Sequence, residues 1–263
     1  MSRQKLGQHF LVNPAWRGRI AETLTSSPRA VWLEIGAGHG EMTESLARIA
    51  ERVNAIETDA ALVRKLHERA TQWPNVEIVH ADILSLDLHS ITRGKSRVYG
   101  NLPYYITSPI LHHLFHFPEI IESIHIVIQF EVAARIVARP GRRDYGYLSA
   151  LCQFYARPEI VLRIPPGAFR PPPKVMSALV KMDFPGERVS LGIADDASFL
   201  KFLQDSFAQK RKTIRNNLRG VYGEKQVQDA LAACELKSSV RAEELTLAQF
   251  AELYKLLGKT GVA

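Results

Sequence analysis

The fold is decided by the stretch VWLEIGAGHG, residues Val31–Gly40. Its first half, Val31–Ile35, is a short apolar run that predicts a buried β-strand. This strand leads without a break into a glycine-rich turn, and the residues from Glu41 to about Ala50 predict a helix. Glycines between a strand and a helix let the backbone approach a ligand where a side chain would collide. The stretch therefore predicts a ligand site at the start of a βα unit.

The spacing of these glycines narrows the kind of ligand. It is Gly-x-Gly-x-Gly, whereas dinucleotide-binding proteins carry Gly-x-Gly-x-x-Gly, and the Lys-Ser/Thr pair of a P-loop is missing. A nicotinamide-dependent dehydrogenase is disfavoured on this ground. Taken alone, a glycine-rich turn remains a weak indication of a nucleotide site.

The next three predicted strands also end at polar side chains. They are Val53–Ile56 before Glu57, Val76–Val79 before Asp82, and Arg97–Tyr99 before Asn101. A carboxylate roughly 20 residues beyond the glycine turn suits two ribose hydroxyls, and Asp82 suits an adenine amino group. Each carboxylate alone is equally well explained as a solvated side chain. Because parallel strands bind ligands at their carboxyl ends, the four together predict a doubly wound α/β fold with a nucleoside site at one sheet edge.

The turn Asn101–Tyr104 is the candidate reactive corner. Pro103 stiffens the backbone and pushes Leu102 towards extended geometry. The Asn101 amide oxygen and a nearby backbone carbonyl then offer two acceptors, and Tyr104 offers a flat wall. Two acceptors beside a stacking face suit a planar ring with an exocyclic amine, such as adenine or cytosine. The alternative is an ordinary strand-to-helix loop.

Composition sets broader limits. The chain has 263 residues and a formal net charge of +7, with a sequence pI of about 9.5, so a polyanion is a plausible partner. The two cysteines are far apart in sequence, which disfavours a disulfide framework or zinc site and favours a reducing cytosol. No apolar run approaches the ~20 residues that span a bilayer, and the N-terminus has no apolar signal core. We predict no membrane association and no metal, although His112, His113 and His116 share helical spacing.

The second half of the chain carries three further predictions. Leu148–Tyr155 and Glu159–Ile164 are both predicted as β-rich or mixed, and Val175–Met182 is predicted as a strand. Before this strand lies a proline-rich loop whose Phe169 is placed either to stack on a flipped base or to anchor the core.

The β pattern ends at Phe184-Pro185-Gly186, where we expect a domain boundary. One domain then covers residues 1–184 and a small all-α domain covers residues 185–263. A helix from Asp195 is predicted to run on to Leu218. Four cations lie in its second half, Lys210, Arg211, Lys212 and Arg215, and they predict either phosphate contacts or a solvated face.

Together these features resemble the S-adenosylmethionine-dependent methyltransferases. More narrowly, nearly the whole chain resembles the ribosomal RNA adenosine dimethyltransferase family, and its bacterial small-subunit branch. The motifs that carry the resemblance are GQHFL (Gly7–Leu11), EIGAG (Glu34–Gly38), Ile56-Glu57, Ala81-Asp82, GNLPY (Gly100–Tyr104), PPGAFRPPPKV (Pro165–Val175) and RKTIR (Arg211–Arg215).

The resemblance implies a Rossmann-like methyltransferase domain at 1–184 and a helical RNA-binding domain at 185–263. It implies that the cofactor S-adenosylmethionine is bound by His9, Leu11, Gly36, Gly38, Glu57, Asp82 and Asn101. The target adenine is expected to contact Asn101, Leu102, Pro103 and Tyr104. The RNA backbone is expected to contact Lys210, Arg211, Lys212 and Arg215.

The implied reaction is dimethylation of two adjacent adenosines in a loop near the 3′ end of small-subunit (16S) rRNA. The implied partner is the small (30S) ribosomal subunit, late in its assembly. We expect a cytoplasmic protein, and we expect a monomer because nothing in the sequence demands a dimer. Two alternatives stay open: a DNA adenine methyltransferase, although many of those place Pro where this chain has Leu102, and a non-catalytic RNA-binding assembly or transcription factor. Three positions depart from the family pattern: His9 where some members have Asn, Phe130 where many are basic, and Met176 where Asp is common.

Overall fold

The computed structural model describes residues 9–25, 30–103 and 105–258. The chain divides into two compact units. The first runs to residue 133 and includes residues 157–184, and the second comprises residues 134–156 and the chain from 185 onward. One division point therefore coincides with the boundary expected between 184 and 185. The segment 134–156 groups with the C-terminal helices, whereas the sequence predicts it within the N-terminal domain.

The first unit is built on a seven-stranded sheet in the order β4-β3-β2-β5-β6-β9-β7. Its strands are β2 (Val31–Ile35), β3 (Arg52–Glu57), β4 (Val76–His80), β5 (Ser96–Asn101), β6 (Ile121–Gln129), β7 (Arg157–Ile164) and β9 (Ser177–Asp183). The strands from β4 to β6 are parallel, and β9 runs antiparallel to β6 and β7. The chain winds outward from β2 to β4 and returns on the other side of β2 at β5. The predicted doubly wound α/β fold is confirmed, and its switch point lies between β2 and β5.

One helix precedes the parallel strands and three further helices connect them. They are α1 (Pro14–Leu24), α2 (Glu41–Ile49), α3 (Ala60–Ala70) and α4 (Thr107–Leu114). The bounds of α2 agree with the sequence prediction to within one residue. Asn13 caps α1 through its side chain, which accepts from the backbone N–H groups of Ala15 and Trp16. A two-stranded ribbon of β1 (Phe10–Leu11) and β8 (Phe169–Arg170) ties the N-terminal segment to the proline-rich loop.

The core of the first unit lies around the central strands. Trp32 on β2 and Tyr99 on β5 are among its largest fully buried side chains, and Val53 and Leu46 pack in the same cluster. Burying these apolar strand faces under the helices is the main favourable contribution to folding, and it fixes which edge of the sheet collects the strand ends.

The second unit is helical within its described residues. It contains α6 (Tyr147–Tyr155), α7 (Arg188–Leu191), α8 (Asp196–Ser206), α9 (Ile214–Tyr222), α10 (Glu224–Ala233) and α11 (Leu247–Gly258), while α5 (Phe130–Ile136) crosses the division point. An aromatic cluster joins these helices, with the Phe154 and Phe199 ring centroids 5.1 Å apart and those of Phe199 and Tyr254 5.3 Å apart.

The prediction of β or mixed structure for Leu148–Tyr155 is wrong, because this segment is helix α6. Most of its residues are buried, so the apolar run shows no clear periodicity, and a buried helix cannot then be distinguished from a buried strand. The helix start is marked by Ser149, whose side chain accepts from the Gly146 N–H. Gly186 N–H donates to the Tyr155 carbonyl, and Tyr155 donates to Asp196, which explains why this segment groups with the C-terminal helices.

The predicted single helix from Asp195 to Leu218 is interrupted. Helix α8 ends at Ser206, and α9 begins at Ile214 after a turn. The Asn217 amide donates to the Ser206 carbonyl at 2.6 Å, and Thr213 caps α9 by accepting from the Asn216 N–H. Local side-chain hydrogen bonds of this kind compete with continuation of the helix.

Among the described residues, no helix has the length and apolar character needed to cross a lipid bilayer.

Candidate active site

The strand ends converge, as predicted, on one cavity in the first unit. Its volume is about 180 Å³. Gly36 and Gly38 after β2, Glu57 at the end of β3, Asp82 after β4 and the Asn101–Pro103 turn after β5 all line it. His9 contributes from the N-terminal segment. The residues predicted for the nucleoside site therefore line a single concave space at the switch point of the sheet.

The glycine turn forms one wall of the cavity. The N–H groups of Gly36 and Ala37 both donate to the Ile56 carbonyl, which holds the turn against β3. Gly36 and Gly38 have φ values of 70° and 60°, a region that side-chain-bearing residues rarely adopt. No atom lies within 4 Å of where a Cβ on Gly36 would stand, so a side chain there would project into open space. The turn thus leaves its backbone accessible to a ligand.

Glu57 is fixed in the cavity wall by three backbone hydrogen bonds. Its Oε1 accepts from the N–H groups of Thr58 and Asp59, each at 2.9 Å, and its Oε2 accepts from Gly38 N–H at 2.9 Å. These bonds occupy both lone-pair sites of Oε1, while Oε2 keeps one site for a further donor. A carboxylate that is held this firmly, with one accepting site left, is suited to a ribose hydroxyl.

Asp82 and Ile83 form the opposite wall. The Asp82 Oδ1 accepts from Leu84 N–H at 3.0 Å, which shapes the turn after β4. Ile83 is buried and also lines the cavity. A carboxylate next to an apolar side chain suits the polar edge and the face of a purine.

Asn101 is held by a hydrogen bond that the sequence did not suggest. Its Nδ2 donates to the His9 carbonyl at 2.8 Å. Since a carbonyl can only accept, this bond orients the amide and leaves Oδ1 as an acceptor for a ligand. Leu102 N–H donates to the Val127 carbonyl, and the Pro103 carbonyl accepts from Ile106 N–H, so the turn is anchored on both sides.

Gly100 allows the acceptor turn to close. A Cβ at this position would lie 2.7 Å from the Leu102 Cδ2 and 3.3 Å from both Cβ and the carbonyl oxygen of Ile35. Leu102 is buried and has little room to move. We expect Gly100→Ala to destabilise the protein by about 1–3 kcal/mol and to lower kcat, because relief of the clash displaces the turn. Urea unfolding and steady-state kinetics measure the two effects.

The matched control for this variant is Gly18→Ala. Gly18 is exposed on α1, and no atom lies within 4 Å of where its Cβ would stand, so alanine should be neutral or stabilising there. Wild-type stability in Gly100→Ala would contradict the steric account.

A smaller cavity of about 30 Å³ adjoins the same residues. It is lined by Leu11, which does not line the larger cavity, and by Glu34 and Tyr99. Burial raises the pKa of the Glu34 carboxyl to about 8 and also raises the pKa of the Tyr99 phenol. Glu34 Oε2 and the Tyr99 hydroxyl are buried without a hydrogen-bond partner in the described part of the chain. Such unpaired polar atoms are costly, so this small space favours a water molecule or a polar ligand group that can hydrogen-bond to them.

Tyr104 and Phe169 are both predicted to stack on the target base, and the structure describes only Phe169. Tyr104 lies outside the described residues. Phe169 is only 4% exposed, pairs with Leu11 across the β1–β8 ribbon and belongs to the core cluster. It does not line either cavity, so the core-anchor alternative accounts for its position, and the base-stacking alternative does not.

Several lining residues escaped the sequence analysis. Ile106 and Ile110 line the cavity from the start of α4, and their i, i+4 spacing was the available signal. Tyr105 is 67% exposed at the cavity rim. Phe10, between the two predicted contacts His9 and Leu11, lines both cavities.

The four predicted RNA-binding cations lie in the turn between α8 and α9 and at the start of α9. Lys210 Nζ donates to the Arg143 carbonyl at 2.5 Å, and Arg215 forms an ion pair of 2.9 Å with Glu224. Arg211 and Lys212 are exposed and have no ion-pair partner among the described residues. The Lys210 bond also brings the basic loop around Arg142 and Arg143 next to this turn, which the sequence did not predict.

Within the described ranges, no group of three or more His, Cys, Asp or Glu side chains is arranged to hold a metal ion. His113 instead bonds through Nε2 to the Leu86 carbonyl at 2.9 Å. Cys152 and Cys234 are free, and burial raises the pKa of the Cys152 thiol.

Comparison with known proteins places the chain in a family. The family model described as ribosomal RNA adenine dimethylase matches residues 1–259. The chain belongs to this family. Members of the ribosomal RNA adenine dimethylase family are enzymes, and the sequence-based assignment to it is confirmed.

Individual relatives cover almost the full chain. A protein of Koribacter versatilis (strain Ellin345), ribosomal RNA small subunit methyltransferase A, is 41% identical over 271 residues, covering 98% of this chain and 95% of that protein. A protein of the same name from Acidobacterium capsulatum is 43% identical over 258 residues, covering 97% of this chain and 91% of that protein.

Solved structures agree on the architecture. A dimethyladenosine transferase from Plasmodium falciparum has a TM-score of 0.80 at 22% identity and covers 96% of this chain and 98% of its own, which shows the shared fold. The 23S rRNA methyltransferase ErmE has a TM-score of 0.71 at 26% identity, covering 95% of this chain and 99% of its own. The Rossmann-like dimethylase fold with a helical C-terminal region is thus shared along the whole chain.

Proposed function

We propose that this protein dimethylates the exocyclic amines of two adjacent adenosines in a loop near the 3′ end of small-subunit (16S) rRNA, late in subunit assembly. The single observation that carries the proposal is the convergence of Glu57, Asp82 and the anchored Asn101 turn on one cavity in a member of the rRNA adenine dimethylase family. The small-subunit assignment draws on the names of the relatives that cover almost the entire chain.

The cavity fits S-adenosylmethionine, the methyl donor of this family. Glu57 suits the ribose hydroxyls because both of its oxygens are held by backbone N–H groups and directed along the wall. Asp82 and Ile83 suit the adenine edge and face, and the glycine turn admits a close backbone approach. The unpaired Glu34 oxygen and Tyr99 hydroxyl offer a polar end for the amino-acid portion. When bound, the cofactor supplies an electrophilic methyl group on a sulfonium.

The chain's own task is to orient and polarise the adenine amine. That nitrogen is a poor nucleophile because its lone pair is delocalised into the ring. Asn101 Oδ1 and the Leu102 carbonyl accept its two hydrogens, which favours a pyramidal nitrogen directed at the methyl group. The positive charge that develops on nitrogen is stabilised by these two preorganised dipoles, the cationic counterpart of an oxyanion hole. We assign base stacking to Tyr104.

The proposal is tested by mass spectrometry of small-subunit rRNA after incubation of small-subunit particles with the protein and S-adenosylmethionine. We expect two methyl groups on each of two adjacent adenosines near the 3′ end. Parallel reactions contain naked duplex DNA or large-subunit particles. Preferential methylation of DNA would establish the DNA methyltransferase alternative, and RNA binding without turnover would establish the non-catalytic one.

RNA binding by the second unit gives a separate prediction. Arg211 and Lys212 are exposed cations beside the Arg142–Arg143 loop, so we expect them to contact phosphates. The double variant Arg211→Ala/Lys212→Ala should weaken RNA binding and reduce the slope of log K against log salt by about 1.4–1.8. Filter binding across a salt series measures this change.

The control carries the same charge change elsewhere. Arg64 and Lys65 are adjacent exposed cations on α3, and their double alanine variant should keep the wild-type slope. An equal loss of slope in both variants would indicate a general charge effect and would count against a specific contact in the α8–α9 turn.

We further propose that the protein acts in the cytoplasm, where small subunits are assembled, and as a monomer. Analytical ultracentrifugation under assay conditions tests the monomer proposal.

A further inference from the structure

A cation stacked on an aromatic ring stands apart from the cavity on the first unit. The Arg163 guanidinium lies over the Phe130 ring, 4.7 Å from its centroid. Arg163 is exposed and has no ion-pair partner among the described residues. Phe130 N–H donates to the Met176 carbonyl, which places the exposed side chains of Met176 and Val175 next to the stack. We name these four residues the Arg163–Phe130 platform.

The platform lies at the same edge of the sheet as the Asn101–Pro103 turn at the end of β5. Phe130 follows the last residue of β6, and Met176 precedes Ser177, which pairs with both Gln129 and Ile164. Adjacent strands are about 4.8 Å apart, so the ends of β6 and β9 stand about 5 and 10 Å from the turn on β5. The cofactor cavity occupies the β2, β3 and β4 side of that turn. The RNA substrate can therefore approach the turn from the side that carries the ends of β6, β9 and β7.

Exposed apolar side chains and positively charged side chains both lie at this edge of the sheet. In the described part of the first unit, all five large exposed apolar side chains lie on segments at this edge: Val12, Leu84, Tyr105, Val175 and Met176. The segments that carry the platform also carry two exposed cations, Arg170 and Lys174, and the exposed Glu131. Counting Arg163, positive charge exceeds negative charge by two.

We propose that the Arg163–Phe130 platform binds a nucleotide flanking the methylated adenosines, with its base stacked on the Arg163 guanidinium. A guanidinium that lies over an aromatic ring leaves its outer side available to a base, and the same group can bond to a phosphate. Val175 and Met176 cover the apolar surface of that nucleotide. This inference rests on the proposed RNA substrate, and it assigns to the first unit an RNA contact that is distinct from the basic turn of the second.

The test measures direct binding, so it does not depend on turnover. The probe is a single-stranded RNA oligonucleotide with the small-subunit target sequence and 2-aminopurine beside the two adenosines. Arg163→Lys keeps the charge and loses the planar stack. We expect about tenfold weaker binding and loss of 2-aminopurine quenching in this variant. Phe130→Leu, which keeps an apolar side chain, should have the same direction of effect. S-adenosylmethionine affinity should stay at the wild-type value in both, which also shows that the first unit is folded.

Arg157→Lys is the matched control, because Arg157 lies on β7 at the opposite edge of the sheet, is exposed, and pairs across the sheet with Asp183. It should bind the probe like the wild type. Wild-type affinity and quenching in Arg163→Lys would overturn the inference. Weaker binding to whole particles with unchanged binding to the probe would also overturn it and would indicate a ribosomal protein as the contact. Arg163-dependent RNA binding without any methylation would instead count against the proposed function alone.

Discussion

Asn101→Ala is expected to lower kcat by about 10²–10³-fold, the largest loss of activity among the substitutions considered. The amide oxygen is one of two acceptors that polarise the adenine amine, and loss of one preorganised dipole of this kind costs about 2.7–4 kcal/mol in the barrier. The hydrogen bond from Asn101 Nδ2 to the His9 carbonyl is also lost, so the N-terminal segment loses an anchor. Single-turnover methylation of small-subunit particles measures the chemical step directly.

Two further measurements separate a catalytic loss from a structural one. Loss of a single neutral hydrogen bond costs about 0.5–1.5 kcal/mol, so S-adenosylmethionine affinity should fall by no more than about tenfold. Asn75→Ala is the control, because the Asn75 amide donates to the Ala47 and Ala50 carbonyls at the opposite edge of the sheet. It should reduce stability and leave the single-turnover rate unchanged. Wild-type turnover by Asn101→Ala would remove the acceptor role from this residue.

Glu57→Gln is expected to weaken S-adenosylmethionine binding by about 10–100-fold although the side chain keeps its size. In the wild type both carboxylate oxygens accept backbone hydrogen bonds, one from Gly38 N–H and the other from Thr58 and Asp59 N–H. An amide has only one oxygen, so its NH₂ group must face one of these donor sets. The unsatisfied buried donors cost about 1–3 kcal/mol, and the ribose hydroxyls lose a charged acceptor.

Isothermal titration with S-adenosylmethionine measures this effect, and thermal unfolding should show a parallel loss of stability. Glu68→Gln is the matched control, since Glu68 is exposed on α3 and its carboxylate has no bond among the described residues. It should bind the cofactor normally. If Glu57→Gln and Glu68→Gln had equal affinities, Glu57 would not contact the cofactor.

The sequence alone determined the order of the elements from β2 to β5 and the residues at the ends of those strands. The apolar run Val31–Ile35 and the glycines after it define a strand and a close turn through local sterics, and each later strand is marked by the same short apolar pattern. Because parallel strands must place their carboxyl ends along one edge, the joint position of Glu57, Asp82 and Asn101 followed from their places in the chain. Local chemistry was sufficient for these predictions since each depends on neighbours within a few residues.

Only the tertiary structure decided the features that depend on distant residues. The orientation of the Asn101 amide is set by the carbonyl of His9, 92 residues away in sequence. Phe169 enters the core because the β1–β8 ribbon pairs it with Leu11. Arg163 reaches Phe130 because the ends of β6 and β7 pair with the same residue of β9, Ser177, from its two sides. Helix α6 was missed because its burial erases the amphipathic pattern by which a helix is recognised. In each case the deciding contact joins segments that are distant in the sequence, and no local pattern of residues encodes it.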